Sequence, residues 1–280
     1  MVPAISGRRS RATAACILLA AAALALHATD AAARDTQTPS LDDWHLTGTG
    51  GVLYSDGNYG TSINTDVLLG LSSLSLSDDD FRFTASIPYM RISGRGLVVF
   101  DASGNPIVIN RRTNLPPSER TGWGDLTLSA SYTVPSMILG GYEARLTGIA
   151  KVPTSPARQR LGTGEADFGM SLDVSRHFGA WTPFVTAGYM YRGEPLGFTI
   201  YDTTSVSAGT SLELRSDLVA TASYDFDSAD SPLVPAGHSL SASLSWIHDN
   251  HLTLTGYTTV GLSAGSPDVG AGLLISYGLN

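Results

Sequence analysis

Along most of the chain apolar and polar residues alternate with a period of two, the spacing of a strand with one face in an apolar medium and the other in water. From Leu126 the apolar face reads Leu126, Leu128, Ala130, Tyr132 and Val134, against Asp125, Thr127, Ser129, Ser131 and Thr133. The same alternation recurs around Ala144, Leu146, Gly148 and Ala150, in Phe168–Val174, in Leu240–Trp246 and in Val269–Tyr277. It predicts twelve strands, at 43–54, 61–76, 81–92, 124–134, 142–153, 166–178, 181–192, 203–214, 218–227, 238–247, 252–262 and 269–279. In the second, Val67, Leu69 and Leu71 give way to Leu74 and Leu76. A bulge at Ser72-Ser73 is expected to absorb that change of phase.

A soluble sandwich also alternates, so connection lengths decide between the two. Links after even-numbered strands have about 2 to 7 residues and those after odd-numbered strands about 6 to 31, like the periplasmic turns and extracellular loops of outer-membrane barrels. With the first strand running outward, Trp44, Tyr132, Tyr142, Trp181, Trp246 and Tyr277 fall at periplasmic ends. Tyr54, Tyr89, Phe168, Tyr189, Tyr191, Tyr224 and Phe226 fall at extracellular ends. Aromatic girdles at both interfaces are what amphipathic rings form at headgroup depth. The expected fold is all-β, a single antiparallel transmembrane β-barrel of about 12 strands over residues 43–280.

Composition agrees. Only 15% of residues are charged, against about a quarter in soluble domains, and 30 are glycine. Arg8, Arg9 and Arg11, the apolar stretch Ala14–Leu26 and the small residues Ala31-Ala32-Ala33 read as a signal peptide over 1–33, with 34–42 a short segment before the barrel. The expected location is the bacterial outer membrane after export and cleavage, with outer-membrane lipid, periplasmic chaperones and the barrel-assembly machinery as partners. Cys16, the sole cysteine, lies in the removed segment, so the mature chain forms no disulfide. Without residues 1–33 the chain keeps 14 basic and 24 acidic residues, and its one lysine is Lys151. No basic stripe suits nucleic acid as a partner.

The inward face, rich in serine, threonine and glycine, implies a wet lumen. Barrels of about eight strands are filled and those of 16 to 18 hold aqueous channels, so twelve strands suit a narrow pore. The connection Ser93–Trp123 is the only loop long enough to fold inward and narrow it, and a solvated surface loop is the alternative. Antiparallel order gathers Asp125, Lys151 and Asp167 at the outer rim, either as a polar constriction that screens solutes or as a structural ion pair. Arg82, Glu143, Arg145, Asp173 and Glu213 form a deeper candidate network in the lumen. No catalytic, cofactor or metal site is expected. A triad of His238, Ser239 and Asp225 or Asp227 fails because adjacent strand residues face opposite ways, and Asp78-Asp79-Asp80 reads as a solvated turn.

Gly122-Trp123-Gly124-Asp125, Lys151-Val152-Pro153-Thr154, Leu161-Gly162-Thr163-Gly164-Glu165-Ala166-Asp167, and Gly188-Tyr189 with Gly193 resemble the phenol-degradation MetA-pathway transporter family. Phe81–Ile92, with Ile87-Pro88-Tyr89, is similar to that family's third strand, while Ser155 stands where glycine commonly follows Pro-Thr. The resemblance implies an outer-membrane barrel related to uptake channels for hydrophobic or aromatic compounds. The expectation is a passive channel for small, hydrophobic or aromatic solutes and not an enzyme. A barrel-embedded lipid-modifying enzyme and a non-conducting structural barrel are the alternatives.

Overall fold

The computed structural model describes residues 44–58, 64–94, 97–100, 106–110, 118–135, 138–156, 159–195, 197, 199–248 and 251–279. The signal segment 1–33 and the segment 34–42 lie outside the described residues. The strands are β1 (His45–Gly57), β2 (Thr65–Ser77), β3 (Phe81–Gly94), β4 (Leu97–Phe100), β5 (Pro106–Asn110), β6 (Ser118–Trp123), β7 (Leu126–Val134) and β8 (Tyr142–Val152). They continue as β9 (Asp167–Arg176), β10 (Trp181–Tyr191), β11 (Thr203–Arg215), β12 (Leu218–Asp227), β13 (Gly237–Ile247), β14 (Leu252–Gly261) and β15 (Val269–Gly278).

Twelve of these close into one antiparallel ring, from β1 through β2, β3 and β7 to β15. The seam is β1 on β15, paired from Thr47↔Gly278 to Asp56↔Val269. Closure leaves no unpaired edge, which a sheet in hydrocarbon requires. The period-two pattern placed these strands within a few residues because each has one face toward lipid. β4 and β5 form a separate hairpin, and β6 continues the line of β7 along the outer half of β3.

One expectation is corrected. β2 carries no bulge: its register with β1 and with β3 runs without a step from Thr65 to Ser77. Val67 and Leu69 therefore point inward and are buried, in phase with Ser73, Ser75 and Ser77. The alternation rule treats every apolar face as a lipid face, and here an apolar stretch meets the interior instead. The irregularity falls on Gly124-Asp125, where the chain takes four steps from Thr127 to Trp123 while β3 takes three from Ser86 to Tyr89. Pro88 lies opposite, with no N–H to give the ladder, and its carbonyl accepts from Gly124 N at 2.8 Å. A Cβ at Gly124 would stand 2.5 Å from Met90 Cε and 2.8 Å from Pro88 Cγ, so a larger residue in this bulge would have to push both aside.

Outward positions carry Val52, Leu74, Leu146, Met170, Leu172, Val185, Leu244, Leu273 and Ile275, all exposed. A closed cylinder wrapped in such a belt is a transmembrane β-barrel, because water would penalise so large a contiguous apolar surface. Rings border the belt at both ends. Tyr89 and Trp123 meet edge to face at 5.2 Å at the outer end, and Phe81 and Tyr132 lie 5.0 Å apart at the inner end. The Arg176 guanidinium sits 4.7 Å from the Tyr142 ring centroid and 5.0 Å from that of Phe178. Inside, large side chains lie over glycines directly across from them, as in Tyr257↔Gly272, Leu274↔Gly51, Phe184↔Gly209 and Met190↔Gly169. A side chain covering a neighbouring glycine pins the register at that rung.

Candidate functional site: the lumen and its outer closure

Register arithmetic divides the lumen into two walls. One rung reads Ser211, Thr221, Ser243 and Tyr257 across β11 to β14, then Gly272, Leu53, Leu69 and Met90 across β15 to β3. Hydroxyls line the first half and hydrocarbon the second. Serine and threonine pairs satisfy one another directly across strands: Ser211 with Thr221 and Ser245 with Thr255 at 2.9 Å, Ser241 with Thr259 at 3.1 Å. The expectation of an inner face rich in serine, threonine and glycine therefore holds for one wall and is corrected for the other. The missed residues are Leu53, Val67, Leu69, Met90, Ile92, Tyr257 and Leu274. Their signal lay in the sequence as large apolar residues standing in phase with the serines and threonines of their own strands.

Three extracellular connections close onto this apolar wall. Val108 of β5, Leu161 of the β8–β9 loop and Val234 of the β12–β13 loop join Leu53, Val67, Leu69, Met90, Ile92, Tyr257 and Leu274 in one buried cluster. The β4–β5 hairpin crosses the mouth from β3. Ser231 Oγ donates to the Val108 carbonyl at 3.2 Å, and Ile107 packs with Ile200 of the β10–β11 connection. Within the Ser93–Trp123 connection β5 thus turns inward, the described residues of the connection are strand, and two further loops share the closure. Burying an aliphatic side chain contributes about 1.5 to 3 kcal/mol, so each of the three loop residues helps to hold its loop on the wall.

The bulge and the loop strands bring Asp125, Lys151 and Asp167 together. Lys151 Nζ lies 2.8 Å from Asp167 Oδ2 and 3.7 Å from Asp125 Oδ2, and it donates to Thr163 Oγ1 at 2.8 Å. Asp125 Oδ1 accepts from Ser155 N at 2.9 Å and Asp167 Oδ1 from Gly193 N at 3.1 Å. Lys151 is 1%, Asp167 0% and Asp125 6% exposed, so the cluster is covered instead of facing open water. Gly162 lies against the Asp125 carboxylate, where a Cβ would clash. The contacts through Thr163, Ser155 and Gly162 tie the β8–β9 loop, which carries Leu161, to the wall, while the Asp167–Gly193 bond ties β9 to the β10–β11 connection.

The deeper residues assemble in part. Arg145 stands opposite Asp173, lies 3.7 Å from Glu143 and donates to Thr133 Oγ1 at 3.1 Å. Thr186 Oγ1 donates to Asp173 from the next strand. Arg82 faces the lumen opposite Ser131, nearer the periplasm. Glu213 sits apart, exposed at the inner end of β11 opposite Val219. Near that end, outside the spanning strands, Asp217 accepts from the Arg215 guanidinium and the Trp246 indole, which hold its carboxyl below the usual range. His238 turns to the outer face, its Nδ1 against Tyr224 Oη, while Ser239 is fully buried inside. They cannot act on one substrate. Among the described residues no group of three or more potential metal ligands gathers.

No model of a known protein family matches the chain, and no curated protein does. Solved structures do. The translocator domain of the autotransporter NalP from Neisseria meningitidis is 12% identical, with 94% of this chain and 99% of that chain covered, at a TM-score of 0.48. The Pseudomonas putida toluene transporter TodX is 13% identical over 86% of this chain and 80% of that chain, at 0.45. A Pseudomonas aeruginosa FadL homologue is 11% identical over 85% and 75%, at 0.44.

Proposed function

We propose that this barrel is a passive outer-membrane channel for small apolar or aromatic solutes, its outer mouth closed in this structure. The observation that carries the reading is the apolar wall inside the outer half of an otherwise hydroxyl-lined lumen, covered by residues from three extracellular loops. A pore for sugars or ions has no use for buried leucines in its path, because each costs a polar solute its hydration without replacing it. An apolar solute instead gains by leaving water.

In this reading Asp125, Lys151 and Asp167 anchor the covering loop, and Glu143, Arg145 and Asp173 with Arg82 shape the wet path beneath. The same reading has residues 1–33 cleaved on export and the barrel inserted by the assembly machinery; the mass of the mature protein tests the cleavage. The deciding experiment is influx into proteoliposomes of an aromatic hydrocarbon and a sugar of similar size, together with planar-bilayer current. The expected result is selective entry of the aromatic compound. No flux of any solute would reject a channel.

A further inference from the structure

We propose that the periplasmic end of β8 and β9 binds a phospholipid from the inner leaflet of the outer membrane, its phosphate held by the Arg176 guanidinium. This goes beyond the channel reading and does not depend on what the lumen carries. Arg176 is the last residue of β9, on the lipid-facing side in phase with Phe168, Met170, Leu172 and Val174, and it stands directly across from Tyr142. Its guanidinium lies against the rings of Tyr142 and Phe178, and Trp181 packs on Phe178 with ring centroids 5.9 Å apart. Tyr142 and Trp181 belong to the inner girdle, so the cation sits at headgroup depth.

A guanidinium carries five N–H donors, and stacking on rings answers its charge in part but not those donors. Arginines elsewhere near the barrel ends are paired: Arg91 lies 2.6 Å from Glu119 and Arg215 2.7 Å from Asp217. Arg176 has neither a carboxylate nor a hydrogen-bond acceptor among the described residues, so its acceptor comes from outside the chain. It is half-buried between rings at a depth where phosphates are the abundant acceptors, and a phosphate matches the guanidinium fork with two parallel hydrogen bonds. Space adjoins it. Gly140 and Gly141 make the β7–β8 turn at φ of 64° and 93°. A Cβ on Gly140 would meet nothing within 4 Å, and one on Gly141 would have the guanidinium as its nearest neighbour, at 3.8 Å. Apolar surface for acyl chains flanks the cation: Ile138 and Leu139 of that turn are exposed, as are Leu146 and Leu172 farther along β8 and β9. A free phosphate would gain nothing from that surface, whereas a lipid phosphate brings chains that do.

Thermal unfolding of the purified barrel in an uncharged detergent tests this, because a ligand of the folded state raises the midpoint according to its affinity. Three probes are titrated: phosphatidylglycerol, diacylglycerol with the same chains, and inorganic phosphate. Phosphatidylglycerol is expected to raise the wild-type midpoint saturably, and neither of the others to do so at equal concentration. Whatever its own midpoint, Arg176→Gln should need about tenfold more phosphatidylglycerol for the same shift, the loss of one charge-assisted partner. Arg176→Lys, which keeps the charge without the fork, should fall between the two. Arg91→Gln, which removes an equal charge at the outer end, should respond to the lipid as the wild type does. Native mass spectrometry at limiting lipid should count one phosphatidylglycerol fewer on Arg176→Gln than on the wild type. An unchanged lipid response in Arg176→Gln overturns the proposal. So does diacylglycerol acting as strongly as phosphatidylglycerol, which would reduce the site to apolar contact, or inorganic phosphate acting as strongly, which would make it a site for the free ion. An equal loss in Arg91→Gln would reduce it to surface charge and overturn it too.

Discussion

The outer and inner halves of the lumen are built from the same strands but hold themselves together differently. Toward the periplasm, neighbouring strands meet through short hydroxyl pairs such as Ser131 with Thr147 and Ser75 with Thr84, each at 2.9 Å and only partly buried. Toward the outside, the same strands carry Leu53, Leu69, Met90 and Ile92, sealed under Val108, Leu161 and Val234. Hydroxyl pairs leave the lumen's width to the backbone, since they span one strand gap and reach no farther. Hydrocarbon side chains close it, because they attract loop residues from across the mouth. Stability is spread around the whole ring, whereas closure is concentrated in one cluster.

The strongest way to break that contrast is to put a charge into the cover. Val108→Asp places a carboxylate among leucines, and an unpaired buried charge costs several kcal/mol, more than the ~1.5 to 3 kcal/mol that burying the valine contributes. The β4–β5 hairpin is expected to leave the mouth while the ring stays folded. Planar-bilayer conductance should rise at least about tenfold, the ratio that ~1.4 kcal/mol of lost closure implies. Unchanged current would place the barrier elsewhere in the lumen.

Next comes Lys151→Met, which leaves Asp125 and Asp167 buried without their cation. Removing one partner of a buried ion cluster costs ~3 to 5 kcal/mol. Arg145→Met, in the more open inner network, is expected to cost less than half as much, since its side chain is 15% exposed against 0% for Lys151. Chemical unfolding in detergent measures both. Restoring neutrality with Asp125→Asn and Asp167→Asn should recover part of the Lys151→Met loss, and equal losses for Lys151 and Arg145 would erase the distinction between the halves. Leu161→Ala comes third, at ~2 to 3 kcal/mol from lost burial and an imperfectly filled gap. It should raise the open fraction in single-channel records without changing the size of the open current.

The ring itself was legible because lipid acts on every strand alike: an outward apolar face repeats at period two whatever the strand does inside. The ion cluster was legible for a related reason, since antiparallel register fixes that Lys151 stands beside Asp167. What the pattern hid was the interior. Val67, Leu69 and Leu71 look like a lipid face when read along β2 alone, and only the unbroken register with β1 and β3 turns them inward. Loop contacts were hidden more deeply. That Val108 meets Val67 and Val234 depends on how three loops share a mouth, which no local period encodes. The Gly124 bulge was hidden as well: the change of phase in β2 drew the expectation to Ser72-Ser73, while the irregularity sits opposite Pro88 and against Met90.

The smallest effect sharpens the contrast from the other side. Ser245 and Thr255 bond at 2.9 Å where both are buried, and Ser131 and Thr147 bond at the same distance where both are half-buried. With equal geometry, only the surroundings differ. A double-mutant cycle of serine to alanine and threonine to valine should give a coupling of ~1 kcal/mol for the buried pair and ~0.5 kcal/mol or less for the other, because water replaces a lost partner only where it can reach. Neither cycle should alter the current through the Val108→Asp channel, since neither pair belongs to the cover. Both pairs lie toward the periplasmic ends of their strands, so a coupling at Ser131–Thr147 as large as at Ser245–Thr255 would mean that the wall of β7 and β8 is as dry there as that of β13 and β14. Water would then be excluded around the whole inner end of the lumen instead of along one side of it.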